Sequence, residues 1–157
     1  MRGKDWSARV SALAVTLAAA GCGSAAGDGA AEVIVACGLL TADEAVGVIG
    51  DNDGGKALYG DTSTCQWENP RTHHAVSIGV GSPGEASGDT LPPPGEGIVS
   101  EAGPDGIRWV GTGGGGLAEF ASAGRVFSVQ VYSDREPAAA RAAEVAVIGL
   151  IRPRIPR

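Results

Sequence analysis

The sequence is poor in the residues that build a large core and in those that carry out most enzymatic chemistry. Aromatic side chains are few, with three Trp, two Tyr and two Phe in 157 residues. A core built from so few large groups is modest, and any covalent cross-link in it matters. There are two histidines, adjacent at His73 and His74, and no C-x-x-C pair, so a zinc-type site lacks ligands at workable spacing. The sequence contains no G-x-S-x-G and no histidine spaced from a nucleophile motif. A hydrolytic mechanism on a serine or cysteine would have to take His73 or His74 as its base. Beyond the N-terminal segment, no apolar run approaches the roughly 20 residues that span a bilayer.

Residues 17–22 read Leu-Ala-Ala-Ala-Gly-Cys. Before them stand Arg2, Lys4 and Arg9 and an apolar run over 10–20, too short to span a membrane and suited to an export signal. Small residues running straight into Cys22 look like the bacterial lipobox, which implies cleavage before Cys22 and a diacylglycerol on its sulfur. The alternative is an ordinary A-x-A cleavage that releases a soluble secreted protein. Each buried methylene contributes about 0.8 kcal/mol and a single chain holds only marginally, so two acyl chains on Cys22 give a durable anchor.

Residues 1–21 are therefore expected to be a lipoprotein signal peptide, which leaves 136 of the 157 residues, enough for one domain. The signal holds three of the twelve basic residues and one of the eighteen acidic ones. The remainder has nine basic against seventeen acidic, a formal charge of about −8. That sign argues against nucleic acid as a partner and against electrostatic docking on anionic lipid. Membrane attachment then comes through the lipid on Cys22, on the extracytoplasmic face of the cell membrane.

With Cys22 taken by lipid, Cys37 and Cys65 remain as an even pair in an oxidising compartment and are expected to form a disulfide. Closing that loop removes on the order of 3.5 kcal/mol of unfolded-state freedom. Residues 22–35 are mostly Gly, Ala and Ser up to Ala31 and read as a flexible tether with a reach of roughly 15 to 20 Å, followed by a short apolar lead-in over 33–36.

Thr41-Ala42-Asp43-Glu44 is a capping box ahead of a short helix that Gly50 stops, with Leu39 and Leu40 placed to staple its first turn. Asp43 and Glu44 are read as cap residues and not as a catalytic pair. Asp51-Asn52-Asp53-Gly54 suggests a calcium loop, but Lys56 and Thr62 stand where Gly and Glu are needed. Residues 64–68 place Cys65 and Trp67 on one strand face. A turn at Asn69-Pro70 leads to a second strand over 74–80, with His74, Val76, Ile78 and Val80 alternating.

Residues 81–105, dense in Gly and Pro, read as a mobile excursion in which Leu91-Pro92-Pro93-Pro94 is a spacer or a partner-binding arm. Gly111-Thr112-Gly113-Gly114-Gly115-Gly116 matches G-x-G-x-x-G formally. A nucleotide site needs a helix after the last glycine, whereas two strands follow, so the run is read as a hairpin turn. Phe127, Val129 and Val131 face inward on the last strand, and Pro137 opens a closing helix to about Ile151 with Ala140, Ala143, Val147 and Ile151 on its apolar side. Arg152, Arg154 and Arg157 make a basic tail expected to fray.

Cys37-Gly38-Leu39-Leu40-Thr41, Glu44 and Cys65-Gln66-Trp67 together resemble a family of small actinobacterial lipoproteins built on a domain of unknown function, the three-five-five-eight family. The resemblance runs through most of the chain after Cys22. It implies pairing of Cys37 with Cys65 and a structural role for Trp67, and it carries no catalytic residues. The glycine run at 111–116 and the proline-rich loop depart from the family pattern.

The expected architecture is a single α+β domain over 36–157, with an antiparallel sheet of about five strands covered by an N-terminal and a C-terminal helix. Trp67, Trp109, Phe120, Phe127 and Tyr132 supply its large side chains. The expected function is a lipid-anchored envelope protein acting as a non-catalytic binding or accessory domain, with an envelope protein as a partner and with no cofactor, metal or catalytic residue. The alternatives are an envelope hydrolase and a carrier of a small lipid or ligand, the latter needing a cavity between sheet and helices.

Overall fold

The computed structural model describes residues 32–111 and 116–157. The expected lipidation position Cys22, the expected signal segment and most of the expected tether lie outside the described residues, as do Thr112 to Gly115 of the glycine run. The elements follow in the order α1 (Ala42–Ile49), β1 (Lys56–Ala57), β2 (Thr64–Glu68), β3 (Ala75–Val80), β4 (Ser100–Ala102), β5 (Arg108–Val110), β6 (Leu117–Ser122), β7 (Arg125–Tyr132) and α2 (Pro137–Ile151). The seven strands form one sheet in the order β1-β2-β3-β7-β6-β5-β4, and all its pairings are antiparallel.

The class is the expected α+β, and among the described residues the strand count is seven in place of about five. The two additional strands are the edge strands β1 and β4. They are two and three residues long and every residue in them is exposed, so neither carries the apolar alternation by which a strand is recognised.

Period-two alternation sets the sheet faces. Cys65 and Trp67 of β2, Val76, Ile78 and Val80 of β3, Phe127, Val129 and Val131 of β7, and Ala118 and Phe120 of β6 are buried on one face. Val48 and Ile49 of α1 and Val147, Ile148 and Ile151 of α2 pack into the same cluster. Both helices therefore lie on one face, α1 against β2 and β3 and α2 against β6 and β7. Phe120 and Phe127 stack with centroids 5.2 Å apart at the middle of this layer. Tyr132 ends β7 on the opposite face, where the alternation of that strand puts it, and is about half exposed.

That opposite face carries Gln66, Ser77, Ser128 and the cross-strand pair Arg108 and Glu119, joined at 2.6 Å. Part of it is covered by the segment expected as a mobile excursion. Gly84 and Ala86 donate to the Gly124 carbonyl, Gly124 donates to Gly88, and Ala123 donates to the Asp89 carboxylate. The Arg108 guanidinium holds the carbonyl of Pro92. Backbone groups in this stretch thus find partners on the tight turn between β6 and β7, where Ala123 and Gly124 both take positive φ.

The capping box forms as the sequence requires: Thr41 Oγ1 accepts from Glu44 N–H, and Glu44 accepts from Thr41 N–H at 2.9 Å. Gly50 follows with φ +78°. The residues over 33–35 are an extended lead without strand pairing, and a single 3-10 turn at Ala36–Gly38 brings Cys37 to Cys65. The disulfide forms, with Cα atoms 5.0 Å apart.

The basic tail does not fray. After a 3-10 turn at Arg152–Arg154, Ile155 is buried and Arg154 makes a two-pronged pair with Glu44 while donating to the Leu39 carbonyl at 2.8 Å. The Arg154 guanidinium, with the Thr41 N–H, holds the Glu44 carboxyl down at about 2. The two ends of the folded domain are thereby tied at the first turn of α1.

Candidate functional site

The residues singled out in the sequence fall into three places. Cys37, Cys65, Trp67 and Phe127 lie in the buried layer and have structural roles. His73 and His74 sit at the turn between β2 and β3 and separate: His73 Nδ1 meets Glu68 at 3.0 Å, and His74 Nε2 meets Asp134 at 3.4 Å. Each histidine ring is thus turned toward a carboxylate, Glu68 at the end of β2 and Asp134 just past the end of β7. Among the described residues, no three His, Cys, Asp or Glu side chains converge as a metal site. Asp53, read above as part of a broken calcium loop, instead accepts from Glu68 N–H and Gly55 N–H and pairs with Lys56 at 2.8 Å.

Trp109 is the third case. It is half-buried and packs against the edge of the core, where it lines a cleft of about 490 Å³. The cleft opens between the first turns of α2 and the ends of β4, β5 and β7. Pro137, Ala140, Val99 and Val110 give it apolar walls, and Glu101, Arg141 and Glu144 bring charge to it. Gly111 and Gly116, which flank the undescribed part of the glycine run, border it as well.

The group the sequence did not single out is Glu144. Its position in α2 reads as polar, yet it is 2% exposed because Ala140, Glu144, Val147, Ile148 and Ile151 form one stripe facing the sheet. An acid in the middle of an apolar stripe was the available signal, and the expected stripe of Ala140, Ala143, Val147 and Ile151 passed over it. Burial pushes the Glu144 carboxyl up to about 7, because the ionised form has lost water. Three weaker influences act the other way.

The first is a long hydrogen bond of 3.4 Å from Val131 N–H. The second is the Trp109 indole, which lies near enough to favour the charged form but without the alignment of a hydrogen bond; its Nε1 is buried and has no hydrogen-bond partner. The third is Arg141, whose guanidinium is committed elsewhere. It pairs with Glu101 at 2.9 Å and lies 4.7 Å above the Trp109 ring.

The cleft is therefore largely apolar, with the buried Glu144 carboxyl among its lining groups and the Arg141–Glu101 ion pair beside it. Arg135 also reaches its rim and fixes α2 to α1 by donating to the Val48 carbonyl at 2.6 Å. On the far side of Arg141 a second, shallower apolar groove is lined by Trp109, Pro137, Ala138, Ala142 and Val145. The arrangement can hold a ligand. Its second carboxylate, Glu101, is paired with Arg141 at the rim.

Comparison with protein-family models, with curated proteins and with solved structures returns no match for this chain.

Proposed function

We propose that this chain is an exported, lipid-anchored envelope protein whose domain binds a ligand or partner without transforming it, in the cleft between α2 and β4, β5 and β7. The observation that carries the reading is the cleft itself, a volume within the range of small-molecule sites, with apolar walls and a few convergent polar groups. The disulfide between Cys37 and Cys65 supports export, since such bonds persist in oxidising compartments. The motif around Cys22 supports the anchor, and the Cys37-Gly38-Leu39-Leu40-Thr41 and Cys65-Gln66-Trp67 segments support the reading through their resemblance to small lipoproteins. A second reading, a carrier of a small apolar ligand, is favoured by the apolar groove that adjoins the cleft across Arg141.

Two measurements test this. Cys22→Ser should release folded protein into the medium, and retention of that variant at the membrane would sink the anchor. A photo-reactive residue at Ala140, on the cleft wall, should capture a reproducible adduct in the native envelope that one at exposed Tyr59 does not. Identical adducts from both positions would remove the cleft from the reading.

A further inference from the structure

We propose that the free edge of β4 takes up an extended segment of a partner protein as an added antiparallel strand, with a Lys or Arg opposite Glu101 and apolar side chains opposite Val99 and Gly103. This rests on the reading of the chain as a binding domain and gives its partner a chemical class.

The register leaves β4 open on one side. Gly111 N–H donates to the Val99 carbonyl at 2.9 Å and Gly103 N–H to the Ile107 carbonyl at 2.8 Å, so Val99, Glu101 and Gly103 are the positions hydrogen-bonded toward β5. Ser100 and Ala102 alternate with them and direct their N–H and carbonyl groups away from the sheet. Among the described residues no strand pairs with this edge, and every residue over 93–102 is exposed. The opposite edge, β1, offers two residues, one of them Lys56, the kind of cation that blunts an edge against pairing. Main-chain hydrogen bonding can therefore be extended at β4.

An added strand sets alternate side chains on the two faces of the sheet. Those opposite Val99, Glu101 and Gly103 stand on the helix face, where α1 and α2 pack mainly over β2, β3, β6 and β7 and leave the β5 and β4 end open. That end carries apolar surface. Val99 is 76% exposed, and Trp109 forms a groove with Ala138, Ala142 and Val145 on the flank of α2. A Cβ at Gly103 would stand 2.8 Å from the benzo edge of the Trp109 indole, so the ring crosses β4 at the one residue that has no side chain to stop it.

Charge selects the occupant. Residues 81–105 hold five acids, Glu85, Asp89, Glu96, Glu101 and Asp105, and no Lys or Arg. Among the described residues only Glu101 of these is in an ion pair, and the nearby cation Arg108 is spent on Glu119. A second copy of this chain would bring the same run of acids against itself, whereas a segment with Lys or Arg gains opposite-charge pairs across the new ladder.

The test is hydrogen exchange on the purified, isotopically labelled chain, with and without millimolar acetylated and amidated Lys-Val-Thr-Lys-Thr-Val-Lys as the probe. This peptide sets Lys opposite Glu101 and Val opposite Val99 and Gly103. The Ser100 and Ala102 amides should shift and exchange more slowly, while those of Lys56 and Ala57 stay unchanged. A twin with Glu in place of each Lys should bind at least roughly tenfold more weakly. A probe N-methylated at both Thr, whose N–H groups face Ser100 and Ala102 in this register, should not bind. Ala102→Pro removes an outward N–H at an edge position, where proline is tolerated, and should abolish the protection of Ser100.

Unprotected Ser100 and Ala102 amides at millimolar probe would overturn the proposal. So would equal binding of the acidic or the N-methylated peptide, or undiminished binding by folded Ala102→Pro. Failure of the peptide probes together with cleft-specific adducts from Ala140 in the envelope would reject strand addition and leave the cleft reading standing. Protection at β4 together with identical adducts from Ala140 and Tyr59 would uphold strand addition and remove the cleft.

Discussion

The buried carboxyl of Glu144 makes the stability of this domain depend on pH in a direction opposite to that of most carboxylates. In the unfolded chain Glu144 titrates near the ordinary value of 4.5, and in the fold burial raises it to about 7. Between those two values the folded state holds a proton that the unfolded state has released, so stability falls as pH rises. The contribution is fully present below pH 4.5 and is lost as pH rises through about 7. A shift of that size corresponds to at most about 3 kcal/mol, a large fraction of the margin of a small domain, and water reaching the carboxyl through the cleft reduces it.

Glu144→Gln removes the titration and keeps an acceptor for Val131 N–H, so it isolates this contribution from all other groups. Denaturant unfolding of both proteins should give curves that lie close together at about pH 5 and separate by about 2 to 3 kcal/mol in favour of the variant at about pH 8.5. A stability difference between them that stays constant over this range would refute the assignment of Glu144 as a buried, neutralised acid.

Other perturbations report on the remaining supports of the fold. Replacing Cys37 and Cys65 together by Ala should lower unfolding stability by about 3.5 kcal/mol under oxidising conditions, and added reductant should bring the wild-type protein to the same value. Arg154→Ala should lower the melting temperature at neutral pH. Because the pair holds the Glu44 carboxyl at about 2, that support is present above pH 4.5, and the deficit of the variant should close as pH falls from 4.5 through 2. Gly55→Ala should cost about 2 kcal/mol or more in denaturant unfolding, since Gly55 has φ +83° and an added Cβ would stand 2.5 Å from the Trp67 indole nitrogen.

Much of the architecture was legible where local signals and tertiary packing agree. Thr41 and Glu44 specify the start of α1 by chemistry that operates within one turn, and Phe127, Val129 and Val131 declare the inner face of β7 by alternation alone. Pro137 and the apolar spacing behind it fix α2 from its first residue to its last. What escaped notice depends on partners distant in sequence. The strands β1 and β4 are held by one neighbour each and have no buried residues, so nothing in their own composition marks them.

The docking of Arg154 depends on Glu44, and the fastening of the loop around Gly84 to Asp89 depends on the turn at Ala123 and Gly124. Neither contact has a signature in local sequence. The cleft was hidden for a related reason. Its base is an acid on an amphipathic helix, which sequence reading assigns to the wet side, and its wall is a tryptophan assigned to the interior. The disulfide, by contrast, could be inferred from count and compartment without any geometry.

The strand order β1-β2-β3-β7-β6-β5-β4 has a consequence for how the chain reaches this state. Every strand pairing joins neighbours in sequence except that of β3 with β7, which runs from Val80 and Phe127 to Ala75 and Tyr132. The sheet is thus two local zippers, β1 to β3 and β4 to β7, each able to close through hairpins on a microsecond scale. Their union carries the entropic cost of the long intervening chain and should set the folding rate. The disulfide lies wholly on the side of the first zipper and does not shorten that search. Until the union forms, β3 and β7 present their backbone and the apolar rows Val76, Ile78, Val129 and Val131 as bare edges, the surfaces most prone to pair with another copy. Once it forms, the edges left among the described residues are the short β1 and β4, so the strands most able to aggregate end in the middle of the sheet.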